Sequence, residues 1–184
     1  AIATISGALY TAFQPSLQSA YINKNISKIK QLMAVSITMY FVVFWLGTFL
    51  LVTIGIPIIS LIKTDVEFSI PIILAIAVYK FLLKHHSTYA SYISNTNNVP
   101  YVKAFLLSGI LGIVLSVVIL KTTEFGVWGL IFAQIIAQGI YNNWVWPSRV
   151  LRSLDLNYLS LFKLGINELK ILISLRLKRY VQSK

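Results

Sequence analysis

Long apolar runs, separated by short polar punctuation, make up most of the chain. Runs of roughly 20 apolar residues match the thickness of a hydrocarbon core. They fall over residues 1–21, 34–56, 70–93, 101–120 and 125–146 and predict about five membrane-crossing helices. The segment INKNISKIKQ, from Ile22 to Gln31, is basic without an acid and reads as a boundary loop or short interfacial helix. Gly55 and Pro57 close or bend the second run, and Lys63, Asp65 and Glu67 form a polar loop after it. Pro71 suits the first turn of the third helix, where its missing N–H needs no partner. That helix leaves through SNTNNVP, a turn signal ending at Pro100. Residues 121–124 form a tight loop, and Pro147 is expected to stop the fifth helix.

Residues 148–184 mix Leu and Ile with basic side chains. Lys163, Glu168, Lys170 and Arg176 interrupt them as a sixth span. They read as an amphipathic tail on the cytoplasmic surface, beside a transmembrane bundle over 1–147.

Polar residues recur inside the apolar runs at helical spacing. Ser6, Tyr10, Gln14 and Gln18 lie four apart on one face, with Pro15 set to kink that helix. Gln134, Gln138 and Asn142 repeat the spacing in the fifth run. Such stripes either line a polar cavity or bond neighbouring helices together, and the sequence leaves both open. Ser108, Gly112 and Ser116, like Gly129, Ala133 and Ala137, are small-residue stripes that permit close helix packing. Trp144 and Trp146 read as headgroup-level anchors.

Two lysines stand out. At about 1.5 Å per residue, Lys80 lies roughly 13 Å beyond Pro71, near the middle of a core about 30 Å thick. Lys84 follows one turn later on the same face. A central lysine costs about 2.5–3.5 kcal/mol on insertion scales, so each must reach water, a partner or a substrate. Both are candidates for a polar cavity; the alternative is snorkelling to the surface. His85 and His86 point about 100° apart on a helix and have no further ligand beside them, so they read as polar boundary residues rather than a metal site.

Composition narrows the class. Of 184 residues, 57% are hydrophobic and 11% charged, and mean hydropathy is +0.77. A soluble domain carries about 25% charged residues. The net charge of +11 does not indicate nucleic acid, because the basic residues sit between or after the apolar runs. Without cysteine there is no disulfide framework, thiolate metal site or thiol catalysis. Lys24, Lys28, Lys30, Lys103 and the basic tail fall on one side of the predicted layout, and Lys63 and Lys121 on the other. By the positive-inside rule the first side is cytoplasmic. Five spans with an inside C-terminus place Ala1 outside. With no basic signal at the start, a preceding part of the protein is expected.

The segment FQPSLQSAYINKNISKIKQL resembles a junction in the polysaccharide-flippase branch of the multidrug/oligosaccharidyl-lipid/polysaccharide exporter superfamily. In that junction a helix ends in a proline and a leu-x-x-ala segment, and a short polar or basic linker leads to the next helix. The stretch from Asn95 to Gln138, with its polar turn, glycine-containing helix, short loop and the Gly126/Gly129 pair, is also similar to that family. The resemblance covers roughly Ser6 to Pro147. It implies an all-α, polytopic membrane helix bundle corresponding to helices eight to twelve of a twelve-helix exporter, with the N-terminal lobe missing. A half-transporter leaves its polar cavity face open to lipid, so the 184 residues alone are expected to be inactive unless a separate N-terminal chain complements them. The resemblance also implies flipping of undecaprenyl-diphosphate-linked oligosaccharide across the bacterial inner membrane by alternating access, with H+ or Na+ as coupling ion.

On that reading Lys80 and Lys84 hold the diphosphate. Tyr10, Gln14, Gln134, Gln138 and Asn142 meet sugar hydroxyls, and Tyr79, Tyr89 and Tyr92 either stack on sugar rings or serve as packing and interface anchors. The membrane lipid is the other partner; no cofactor is called for. A drug exporter of the related branch would want an acid within a span, and none is present. A membrane enzyme of polysaccharide assembly, a polymerase or acyltransferase, would want a large outer loop or a buried catalytic set, and ranks third. The Gly126/Gly129 pair lacks the Gly-Lys-Ser/Thr of a nucleotide-binding loop.

Overall fold

The computed structural model describes residues 1–96 and 99–182, with side chains as far as Leu175. Its described residues are all-helical in class, without a strand: α1 (Ile2–Ala12), α2 (Gln14–Ile22), α3 (Ile26–Leu50), α4 (Ile56–Ile62), α5 (Ile70–Ile93), α6 (Tyr101–Thr122), α7 (Val127–Gly139), α8 (Asn142–Ser153) and α9 (Tyr158–Gln182). Among the described residues, three stretches are long and apolar enough to cross a membrane: Ile26–Ile62, Ile70–Thr96 and Tyr101–Thr122, of 37, 27 and 22 residues. They contain the second, third and fourth predicted spans. The expected turn after the third begins as a short 3₁₀ segment at Ser94–Thr96; Asn97 and Asn98 lie outside the described residues.

The first and fifth apolar runs are each divided. The break between α1 and α2 falls at Phe13, with Pro15 in the first turn of α2. A proline there cannot bond back to the preceding turn, so the chain bends where the sequence expects it. The fifth run breaks at Ile140–Tyr141 and not at Pro147, which sits inside α8. Pro147 removes one helical bond, to Asn143. Gly139 is a weak helix former that ends α7, and the freed Ile140 carbonyl accepts the Trp144 indole N–H at 3.0 Å.

Both broken rods keep their direction. Along α7 and α8, Gly129, Gln134, Asn142 and Trp146 meet Ile119, Gly112, Ser108 and Phe105 of α6 in turn, an antiparallel register maintained across the break. Between α3 and α4, Leu51–Gly55 forms a widened π turn ahead of Pro57.

Turn chemistry fixes the other junctions. Lys24 has φ 52° and lets the Asn25 N–H bond to the Ala20 carbonyl at 2.9 Å, closing α2. The Asn25 side chain caps α3 by accepting the Lys28 N–H at 3.0 Å. Gly126, with φ 52°, leads into α7. Asn157 and Ser160 bond reciprocally at the start of α9, at 2.9 and 2.8 Å.

The core gathers at the basic end, where Leu17, Met33, Ile37, Tyr89, Trp146 and Leu161 are buried together. A second cluster stacks Tyr40 on Phe81, ring centroids 5.4 Å apart, and the Tyr40 hydroxyl donates to the Phe81 carbonyl at 2.7 Å. α9 runs antiparallel along the first half of α3: Phe162 packs on Phe41, Gly165 on Ala34 and Thr38, and the Gln31 amide donates to Glu168 at 3.0 Å. The outer face of α6 leaves Leu106, Leu107, Ile110, Ile113 and Val117 exposed. An apolar surface that continuous needs a non-aqueous neighbour, which a bilayer supplies.

Candidate functional site: a cationic groove between α1 and α5

α1 and α5 run side by side in parallel, and the small residues of α1 open a groove between them. Its lining includes Thr4, Gly7 and Thr11 of α1 with Lys80, Lys84 and Ser87 of α5, around about 680 Å³. Thr4, Gly7 and Thr11 recur at three- and four-residue spacing, so one face of α1 presents them all. Gly7 forms a notch for Lys84. A Cβ there would collide with the lysine Cε, and Nζ lies 3.0 Å from that position. Lys84 is half-buried along the notch, while Lys80 is exposed.

The electrostatics are one-sided. Among the described residues no carboxylate pairs with Lys80 or Lys84; the ion pair present, 3.9 Å long, joins Lys30 to Asp155. Thr11 donates its hydroxyl proton to the Gly7 carbonyl at 3.0 Å, and Ser87 donates to the Lys84 carbonyl at 2.9 Å. Those hydroxyls are committed as donors, so the ammonium groups supply the charge for any ligand. Lys80 also lies 5.0 Å from the centroid of the Tyr79 ring, within cation–π range.

A second compartment, of about 560 Å³, continues the groove. Its walls are mostly apolar, with Ile2, Phe44, Leu51, Ile73, Ile76 and Ala77 beside one further hydroxyl, that of Thr48. Ala3, Thr4 and Lys80 belong to both compartments. The groove is therefore amphipathic along its length, with Lys80 at the junction and Lys84 in the polar half.

The remaining predicted site residues lie elsewhere. Gln14 donates to Ser91 at 3.1 Å, further along the α2–α5 seam. Tyr10 is 2% exposed, with its hydroxyl 3.9 Å from the Met33 sulfur. Gln134 fills the space over Gly112. Asn142, fully buried, donates to Ser108 Oγ and to Gln138 Oε1, both at 2.8 Å, and accepts the Trp146 indole N–H at 2.8 Å. This network ties the start of α8 to α6. Tyr89 and Tyr92 are core residues, and Tyr79 supports Lys80.

His85 and His86 are also interior. His86 Nδ1 lies 2.7 Å from Asn143 Oδ1. His85 is boxed by the rings of Phe41, Phe81, Tyr89 and Tyr158, at 5.1 to 6.0 Å. Burial pushes the Tyr158 hydroxyl above the ordinary tyrosine value, so that ring stays neutral. The groove residues that sequence reasoning missed are Thr4, Gly7, Thr11 and Ser87. The Thr-x-x-Gly-x-x-x-Thr spacing was the available signal.

Compared with protein-family models, curated proteins and solved structures, the chain matches none. The flippase resemblance therefore has no match behind it.

Proposed function

We propose that the chain is a membrane-embedded lobe of a transporter for an anionic, lipid-borne substrate. The specific reading is flipping of undecaprenyl-diphosphate-linked oligosaccharide from the cytoplasmic to the periplasmic leaflet of the bacterial inner membrane. The observation that carries it is the junction at Lys80, where a cationic compartment meets an apolar one. A diphosphate head suits two lysine point charges one helical turn apart, and a polyprenyl tail suits the apolar walls. A cationic drug does not suit a groove with two unpaired lysines.

The groove also offers a physical basis for alternating access. Two like charges one turn apart repel, and burying them unneutralised carries a large desolvation cost. An unloaded groove therefore favours hydration. Bound phosphate cancels the charge, and closure against an opposing lobe becomes affordable. In this reading α1–α2 and α7–α8 are broken spans that join the three continuous ones to make five, and the basic end faces the cytoplasm.

The test is genetic. Lys80→Ala and Lys84→Ala are introduced into the native gene in a host lacking its own flippase, and surface glycan is scored beside membrane protein level. Loss of glycan at constant protein level is the expected result. Normal glycan in both variants overturns the groove as the transport route. Failure of the wild-type gene to restore glycan in any compatible host overturns the substrate.

A further inference from the structure

A second recess opens at the basic end of the bundle and shares no residue with the lysine groove. It encloses about 630 Å³ between α2, α3, α5 and α8. Ile29, Ile93, Val150 and Leu154 form its apolar floor; Tyr21 and Arg149 stand at its edge. An adjoining recess of about 700 Å³ shares Tyr21 and Ile29 and adds Lys24. Among the described residues no carboxylate lines either one. Arg149 is exposed and has no ion pair or hydrogen bond among the described residues.

The position narrows the ligand. The recess lies where α3 begins and α5 ends, two of the helices long and apolar enough to span a membrane. The ends of helices that span a bilayer stand at headgroup level. A small soluble anion would satisfy Arg149 and leave the isoleucine and leucine floor wet. An apolar molecule would cover the floor and leave the guanidinium unmatched. An amphiphile with a phosphate head meets both, since the arginine fork matches phosphate oxygens in paired hydrogen bonds. Basic pockets between helices at the cytoplasmic side hold anionic lipid heads. We propose that this recess binds an anionic phospholipid of the surrounding leaflet, its phosphate on Arg149 and an acyl chain over Ile29, Ile93 and Leu154, with Lys24 of the adjoining recess adding to the basic rim. A lipid seated there bridges helices from both halves of the chain. The inference is independent of the transported substrate.

The test uses the purified full chain in vesicles of phosphatidylcholine with and without phosphatidylglycerol. Thermal unfolding reads the stabilisation, and native mass spectrometry reads the retained lipid. Phosphatidylglycerol is expected to raise the wild-type Tm and to stay bound where phosphatidylcholine does not. Arg149→Gln should weaken retention about fivefold, and Lys24→Asn by a similar factor. Asparagine is chosen because it tolerates the φ of 52° at that position. Lys103→Gln, which removes the same charge from an exposed site outside the recess, should change nothing. Three results overturn the proposal: retention unchanged in Arg149→Gln and Lys24→Asn together, equal retention of phosphatidylcholine, or loss that follows Lys80→Gln and Lys84→Gln instead. The last would assign the bound lipid to the lysine groove.

Discussion

Gly165 on α9 touches Thr38 on α3 so closely that a Cβ at residue 165 would overlap the threonine hydroxyl and the Ala34 carbonyl. A hydroxyl on a packed helix has little room to retreat, and a backbone carbonyl has less. Gly165→Ala must therefore push α9 off α3. The expected cost is about 1–3 kcal/mol, the usual range for overpacking, read as a lowered Tm. An unchanged Tm would mean that α9 is not held along α3.

Gly7 presents the opposite case. The atoms that a Cβ would meet there belong to the far end of the Lys84 side chain, which can swing away. Gly7→Ala should leave Tm unchanged or raise it slightly, because alanine favours the helix by up to about 1 kcal/mol. If the proposed flippase function holds, surface glycan should still fall, since the ammonium loses its notch. A drop in protein level, with transport per molecule intact, would contradict this.

Asn142 makes three hydrogen bonds, one each to Ser108 of α6, Gln138 of α7 and Trp146 within α8. Asn142→Leu strands the Trp146 indole N–H and the Gln138 amide oxygen in a buried interface. Each unsatisfied group costs about 1–3 kcal/mol, so a large fall in Tm is expected. Combining the change with Ser108→Ala should cost less than the two single losses added, because the partners share a network. Strict additivity in a double-mutant cycle would argue against it.

Tyr40 separates two contributions in the aromatic cluster. Tyr40→Phe removes the hydroxyl that donates to the Phe81 carbonyl but keeps the ring stack. The expected loss is about 0.5–1.5 kcal/mol. Tyr40→Ala removes the ring as well and should cost about 3–5 kcal/mol, as aromatic truncations in a core do. Comparable losses from the two changes in a thermal-shift series would place the value in the hydrogen bond rather than the packing.

The continuous helices were legible because a hydrophobic run and a proline in its first turn are local signals; Pro71 and Pro15 both act where the sequence places them. The break in the fifth run was not. Pro147 is the strongest local breaker, yet the loss of one bond inside α8 is tolerated. The actual break depends on Gly139 together with an indole that reaches back from Trp144. The Gln134–Gln138–Asn142 stripe was legible as polar and helical, but its partners decide its role. Ser108 and Gly112 come from another helix, and no spacing rule brings them in. The same holds for the groove: Lys80 and Lys84 announce themselves by charge, whereas their setting comes from Thr4, Gly7 and Thr11, far away in the chain. Asn157 and Ser160 spell a helix start that the charged residues of the tail obscured.

Lys84 and His86 stand two residues apart on α5, so they project about 200° apart around it. One rests in the Gly7 notch of α1; the other meets Asn143 of α8 at 2.7 Å. α5 is therefore a party wall: one side of the helix belongs to the groove and the other to the α8 contact, so substitutions at Lys84 and His86 report on opposite sides of one rod.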